Sequence, residues 1–114
     1  MVVDDNKRMR DMIKETLAPL SCTIVECTNG IDAVAGYETS QPDWVLMDVK
    51  MKPMNGITAL SEIKKNHPKA KVIIVSTMVE EEIGVRSINA GAFAFVNKES
   101  LFQIPEMIEK HNRL

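Results

Sequence analysis

Three carboxylates, a hydroxyl and an ammonium stand at one kind of place along this chain. Asp4 and Asp5 follow Met1-Val2-Val3, Asp48 follows Trp44-Val45-Leu46-Met47, Ser76 follows Val72-Ile73-Ile74-Val75, and Lys98 lies just beyond Val96. Each apolar run has the length of a short buried strand, so each polar group closes a strand at its carboxyl end. Singly these are ordinary loop residues. Strands that lie side by side in parallel bring such ends to one rim, which is where open α/β sheets bind ligands. Clustered carboxylates repel one another and raise each other's pKa unless a cation stands among them. Two or three such oxygens with room for water suit a magnesium ion. A carboxylate beside that ion can attack phosphorus and become an aspartyl phosphate. A lysine and a hydroxyl then offset charge on the transferring phosphoryl oxygens. The chemistry expected of these residues is magnesium-dependent phosphoryl acceptance.

The elements that must position them alternate along the chain. Apolar residues at helical spacing over residues 7–18 put Met9, Met12, Ile13, Thr16 and Leu17 on one face, ended by Pro19. Residues 23–26 read as a second strand. A weaker helix over 31–39 buries Ala33, Val34 and Tyr37, and Leu60 with Ile63 marks a helix that stops before Pro68. A fourth helix over 79–89 turns Ile83 and Ile88 inward and is closed by Ala90-Gly91. Residues 93–96 form the fifth strand, and the last helix holds Met107 and Ile108 inward. Five strands alternating with five helices imply a parallel sheet covered by helices on both faces.

Composition narrows the function classes. With 114 residues, 45% hydrophobic and 26% charged, the chain has the balance of one globular domain. A net charge of -2 argues against direct nucleic-acid binding. The longest apolar run, residues 92–96, is far too short to cross a membrane, and no secretory leader pattern opens the chain, so a cytoplasmic location is expected. Cys22 and Cys27 are five apart, which on a strand sends them to opposite faces and leaves both as reduced thiols. There is no GxxxxGK[ST] loop and no GxGxxG after the first strand, so a nucleotide lacks its usual cradle. Lys50 stands where an Asp-x-Asp phosphatase would carry its second acid.

Taken together, Val2-Val3-Asp4-Asp5, Met47-Asp48-Val49-Lys50-Met51 leading to Met54-Asn55-Gly56, Ile74-Val75-Ser76-Thr77, Ala90-Gly91-Ala92 and Phe95-Val96-Asn97-Lys98 resemble the receiver domain of bacterial two-component response regulators. The resemblance is of the chemotaxis-regulator kind and extends over essentially the whole chain, residues 1–114. It implies a flavodoxin-like, doubly wound (βα)5 fold with a five-stranded parallel sheet of order 2-1-3-4-5. It also implies roles. Asp48 becomes the phosphoacceptor, and Asp5, Asp48 and the Lys50 backbone carbonyl hold magnesium or manganese, with Asp4 acting at second remove or through water. Ser76 and Lys98 contact the phosphate, Ser76 and Phe95 switch, and Lys50 and Met78 tune dephosphorylation. The implied partners are a sensor histidine kinase or phosphotransfer protein, a DNA-binding output domain C-terminal to this chain, and a second copy on phosphorylation. The surface around the fourth helix, fifth strand and fifth helix is the implied readout.

Several positions depart from that pattern. Lys52 replaces a frequent proline, with Pro53 one place later. Glu99 replaces the proline that often follows the lysine, a feature shared by regulators with LuxR-type helix-turn-helix outputs. A trans Lys98–Glu99 peptide is expected, because a cis bond before a non-proline residue costs about 3–4 kcal/mol. Pro105 fits the first turn of a helix far better than its fifth position, so the last helix is expected to start near Pro105, with residues 100–103 in a separate turn. The opening strand is short, which points to a native start upstream. Trp44, on the strand leading to Asp48, is a candidate fluorescent probe. Two other functions compete: a pseudo-receiver that only binds partners, and a magnesium-dependent phosphohydrolase, which the missing second acid disfavours.

Overall fold

The computed structural model describes residues 1–77 and 81–113. Its strands are β1 (Val2–Val3), β2 (Glu26–Cys27), β3 (Val45–Met47), β4 (Val72–Ser76) and β5 (Ala94–Asn97). The helices between and after them are α1 (Lys7–Leu17), α2 (Gly30–Ser40), α3 (Gly56–Asn66), α4 (Glu81–Asn89) and α5 (Ile104–Asn112). All pairings are parallel and the strand order is β2-β1-β3-β4-β5, the flavodoxin-like doubly wound arrangement. The direction of the sheet order reverses after β1, so the carboxyl ends of β1 and β3 flank the crevice that such folds use for ligands.

Period-two alternation divides each buried strand between two cores. Val3, Val45, Met47, Val72 and Ile74 point toward α2 and α3, where Ala33, Tyr37, Ile57, Leu60 and Ile63 meet them. Val2, Leu46, Ile73, Val75 and Val96 point the other way, onto Ile13 and Leu17 of α1 and Ile104 and Ile108 of α5. Both faces of β4 are buried along its whole length, which accounts for its uninterrupted apolar sequence.

The first three helices start on a side-chain cap where the chain leaves the sheet. Asn6 accepts the Met9 N–H, Asn29 the Asp32 N–H and Asn55 the Thr58 N–H. Gly91 closes α4 at φ 104°, a left-handed value that suits glycine. After β5, Asn97 accepts the Glu99 N–H and a 3-10 segment, Lys98–Gln103, precedes α5. The Lys98–Glu99 peptide is trans, Pro105 sits in the first turn of α5, and the regular helix begins at Ile104.

Three expectations change. The second strand is Glu26–Cys27 and not residues 23–26, because β1 offers only Val2 and Val3 as ladder partners for it. Met12 is 46% exposed and Ile88 is 50% exposed, each outside the buried stripe of its helix. The fifth strand starts at Ala94, leaving Phe93 exposed before it. The fourth helix is described from Glu81; residues 78–80, and with them Met78, lie outside the described residues. Cys22 is exposed, Cys27 is buried, and both are free thiols.

Candidate functional site

The sheet order dictates which polar groups meet. Val3 ends β1 beside Met47 of β3, so the residues that follow them, Asp4 and Asp48, emerge side by side. The Asp48 N–H donates to the Val3 carbonyl at 2.9 Å, and the Asp4 N–H donates to the Cys27 carbonyl at 3.1 Å. Carboxylate oxygens of Asp4, Asp5 and Asp48 lie within 4.8 Å of one another. Asp4 is 1% exposed and Asp48 7%, whereas Asp5 is open to solvent.

Lys98 reaches this cluster from the far side of the sheet. Its ammonium lies 3.0 Å from Asp4 Oδ2 and 3.4 Å from Asp48 Oδ1 and is itself nearly buried. Backbone donors hold the two carboxylates in place. The Asn6 N–H donates to Asp4 Oδ1 at 2.9 Å, and the Val49 N–H donates to Asp48 Oδ1 at 2.9 Å. Burial, with the neighbouring Asp4 charge adding to it, raises the Asp48 pKa above the ordinary carboxylate value; Lys98 and the Val49 N–H oppose the rise. Among the described residues, Lys98 is the one cation paired with the three acids. The excess negative charge and the open Asp5 carboxylate suit a divalent cation.

Ser76 ends β4 fully buried, one strand from Asp48. Phe95 is half-buried in β5 and packs beside Gly84 of α4, where an added Cβ would lie 3.6 Å from its ring. Lys50 is exposed, two residues beyond Asp48 in the loop to α3, and the Lys52–Pro53 peptide of that loop is cis. Trp44 does not serve as a probe of this rim. It lies at the opposite, amino end of β3, stacked edge-on against Phe93 and His111.

One residue of the site escaped the sequence reading. Arg10 Nη1 donates to the Asp4 carbonyl at 2.9 Å while its Nε donates to Glu26 Oε1 at 2.9 Å, and the side chain is 13% exposed. It ties the turn that carries the acid pair to β2. A charged residue on the polar side of an amphipathic helix gives no such signal.

Residues 1–111 match the response regulator receiver domain family. The chain is 38% identical over 115 residues to the chemotaxis protein CheY of Thermotoga maritima, covering 100% of this chain and 94% of that one. It is 40% identical over 114 residues to CheY of Bacillus subtilis, covering 99% and 93%. The CheY of the CheX-CheY-BeF3-Mg complex from Borrelia burgdorferi superposes with a TM-score of 0.82 at 27% identity over 90% of this chain and 81% of that one. An acid cluster on the rim of a 2-1-3-4-5 parallel sheet, met by a lysine that follows the last strand, and full-length similarity to chemotaxis regulators lead to one assignment: the chain belongs to the receiver domains of two-component response regulators.

Proposed function

We propose that Asp48 accepts a phosphoryl group from the phosphohistidine of a sensor kinase or phosphotransfer protein. An Asp48 carboxylate oxygen forms the new bond to phosphorus while the P–N bond to the histidine breaks, its electron pair returning to the ring nitrogen. The observation that carries this reading is the Lys98 ammonium between Asp4 and Asp48 beside an open third carboxylate. Magnesium, or manganese, would be held by Asp5, Asp48 and the Lys50 carbonyl, with Asp4 at second remove, and would supply positive charge against the phosphoryl oxygens. Lys98 pairs with a second phosphoryl oxygen and Ser76 donates to a third. Beyond this transfer and the hydrolysis of its own aspartyl phosphate the domain turns over no substrate. A ligand shifts a two-state surface only through contacts that differ between the states. The differential contacts here are Ser76 and Lys98 drawn to the phosphoryl group, with Phe95 and α4 following. The readout is the face of α4, β5 and α5, offered to a DNA-binding output domain or to a second copy in the cytoplasm. Lys50, two places beyond Asp48 in the sequence, and Met78, two places beyond Ser76, set the lifetime of the phosphorylated form.

Incubation with acetyl phosphate and magnesium tests the reading: one acid-labile phosphate per chain is expected, and steady release of phosphate from simple phosphate esters would argue instead for a hydrolase. Asp5→Ala removes the exposed carboxylate and is expected to weaken magnesium binding at least tenfold by isothermal titration, since such sites rest on few protein oxygens. The fold should survive, because an exposed rim residue buries little. Unchanged magnesium affinity would remove Asp5 from the metal site.

Arg10→Ala is expected to lower magnesium affinity several-fold by freeing the turn that presents Asp4 and Asp5. It also costs about 1.5–3 kcal/mol of stability, the range for hydrogen bonds to charged groups. Glu26→Gln keeps the Arg10 bond to the Asp4 carbonyl and should leave metal binding near wild type. If both variants bind magnesium equally well, Arg10 is a surface ion-pair residue only.

A further inference from the structure

A groove of about 580 Å³ begins at Asp5 and runs between the loop after β3 and α4. Buried Val49, Met51 and Ile57 and half-buried Ile83 form its floor. Exposed Lys50, Lys52 and Arg86 line it beside Asp5. Its volume falls in the range of small-ligand pockets, about 300–1,000 Å³. It also adjoins the reacting carboxylate. Val49, on the floor, donates its N–H to Asp48 Oδ1, and Asp5 shares the acid cluster with Asp48. The other flank of that cluster is closed, since Lys98 packs against Asp4 and Asp48 and Asp4 is fully buried. Among the described residues, the side left open to a donor approaching Asp48 is that of Asp5 and the groove.

We propose that this groove receives the leaving group of an acyl phosphate with an apolar chain, and that Lys52 and Arg86 set the preference for that class of donor. The proposal rests on Asp48 being the phosphoacceptor. In the transfer, an Asp48 oxygen bonds to phosphorus as the P–O bond to the acyl group breaks. The electron pair goes with that oxygen and the acyl group departs as a carboxylate anion, with no proton or redox partner required. Negative charge thus grows on the leaving group as the bond lengthens. Cations placed beside that charge lower the barrier more than they strengthen ground-state binding. The apolar floor is larger than an acetyl group fills, so a longer acyl chain gains burial that acetyl does not. A donor whose leaving group departs neutral, as from a P–N bond, gains nothing from the cations in the transition state.

The test compares labelling of the full chain, in magnesium buffer, by butyryl phosphate, acetyl phosphate and phosphoramidate, whose leaving group is ammonia. Wild type is expected to react faster with butyryl than with acetyl phosphate. In the Lys52→Glu/Arg86→Glu double variant the ratio of acyl phosphate to phosphoramidate rates should fall about tenfold, the low end of what focused charge contributes at a reacting site. Lys52→Gln/Arg86→Gln should fall between, and added salt should narrow the gap between variants. An unchanged ratio, or a parallel loss with all three donors, overturns the assignment of the groove while Asp48 remains the acceptor. Failure of every donor to label wild-type Asp48 overturns the acceptor reading itself.

Discussion

Asp48→Asn should take up no phosphoryl group at all. The label expected after acetyl phosphate and magnesium treatment resides on one carboxylate, and neither Asp4 nor Asp5 replaces it. Asp4 is fully buried with one oxygen on Lys98 and the other on the Asn6 N–H, and Asp5 points to solvent. Intact-mass analysis of both proteins checks this, and label persisting in the variant would move the acceptor elsewhere. The same substitution should raise the melting temperature by a few degrees in metal-free buffer at neutral pH. The native state holds the Asp48 carboxylate at a raised pKa, chiefly through burial and then through Asp4, so its ionisation opposes folding there. Between the ordinary carboxylate value and the raised one, the native state binds more protons than the unfolded chain. The advantage of the variant should therefore shrink as pH falls through the raised pKa and vanish below the ordinary one. An advantage that grows toward acid would show that Lys98 stabilises the charged form more than burial destabilises it.

How much of this was legible from the residues depends on the kind of signal. The polar groups at the ends of apolar runs predict the rim, because a fully covered parallel strand leaves its side chains no other composition, as in Val72–Ser76. Pro105 and Glu99 likewise carry their own geometry, which is why the trans peptide and the late start of α5 could be expected. Residues 23–25 mislead, since β-branched Thr23, Ile24 and Val25 have strand propensity, but β1 pairs only with Glu26 and Cys27 and reaches back no further than the Val25 carbonyl, which accepts the Val2 N–H. Met12 and Ile88 mislead because helical spacing identifies a stripe without showing how much of it a neighbour covers. Arg10 was invisible because its partner, the Asp4 carbonyl, is backbone and has no sequence signature.

Gly56→Ala should be among the most damaging single-methyl additions in the chain. A Cβ built on Gly56 falls 1.9 Å from the Asp48 carbonyl oxygen and 2.8 Å from its carbonyl carbon, both backbone atoms that no rotamer change can move. The Gly56 N–H also donates to the Val49 carbonyl at 2.9 Å, so the start of α3 is held against the acceptor's own peptide. Relief requires displacing that loop, at a cost of about 3 kcal/mol, the upper end for overpacking. The displacement also moves Val49, whose N–H orients Asp48. Gly84→Ala provides the contrast. Among the described residues, the nearest atoms to its Cβ would be those of the Phe95 ring, at ordinary contact distance, in the middle of α4, where alanine is favoured by about 1 kcal/mol. Urea denaturation of the two variants should give midpoints on opposite sides of wild type, with slow phosphorylation in Gly56→Ala alone. Equal midpoints would mean that the Asp48–Gly56 approach is not fixed.

The ion pair that completes the rim joins residues 94 positions apart, Asp4 and Lys98. Because the acids come from the first strand and their counter-charge from the last, a chain still emerging from the ribosome can assemble β1, β2 and β3 with three carboxylates gathered and nothing to offset them. Their mutual repulsion works against early closure of that half of the sheet and is relieved only once β4 and β5 have docked. Competence to receive a signal is thereby tied to the docking of β5, and a fragment ending before Lys98 carries Asp48 without the charge that pairs with it.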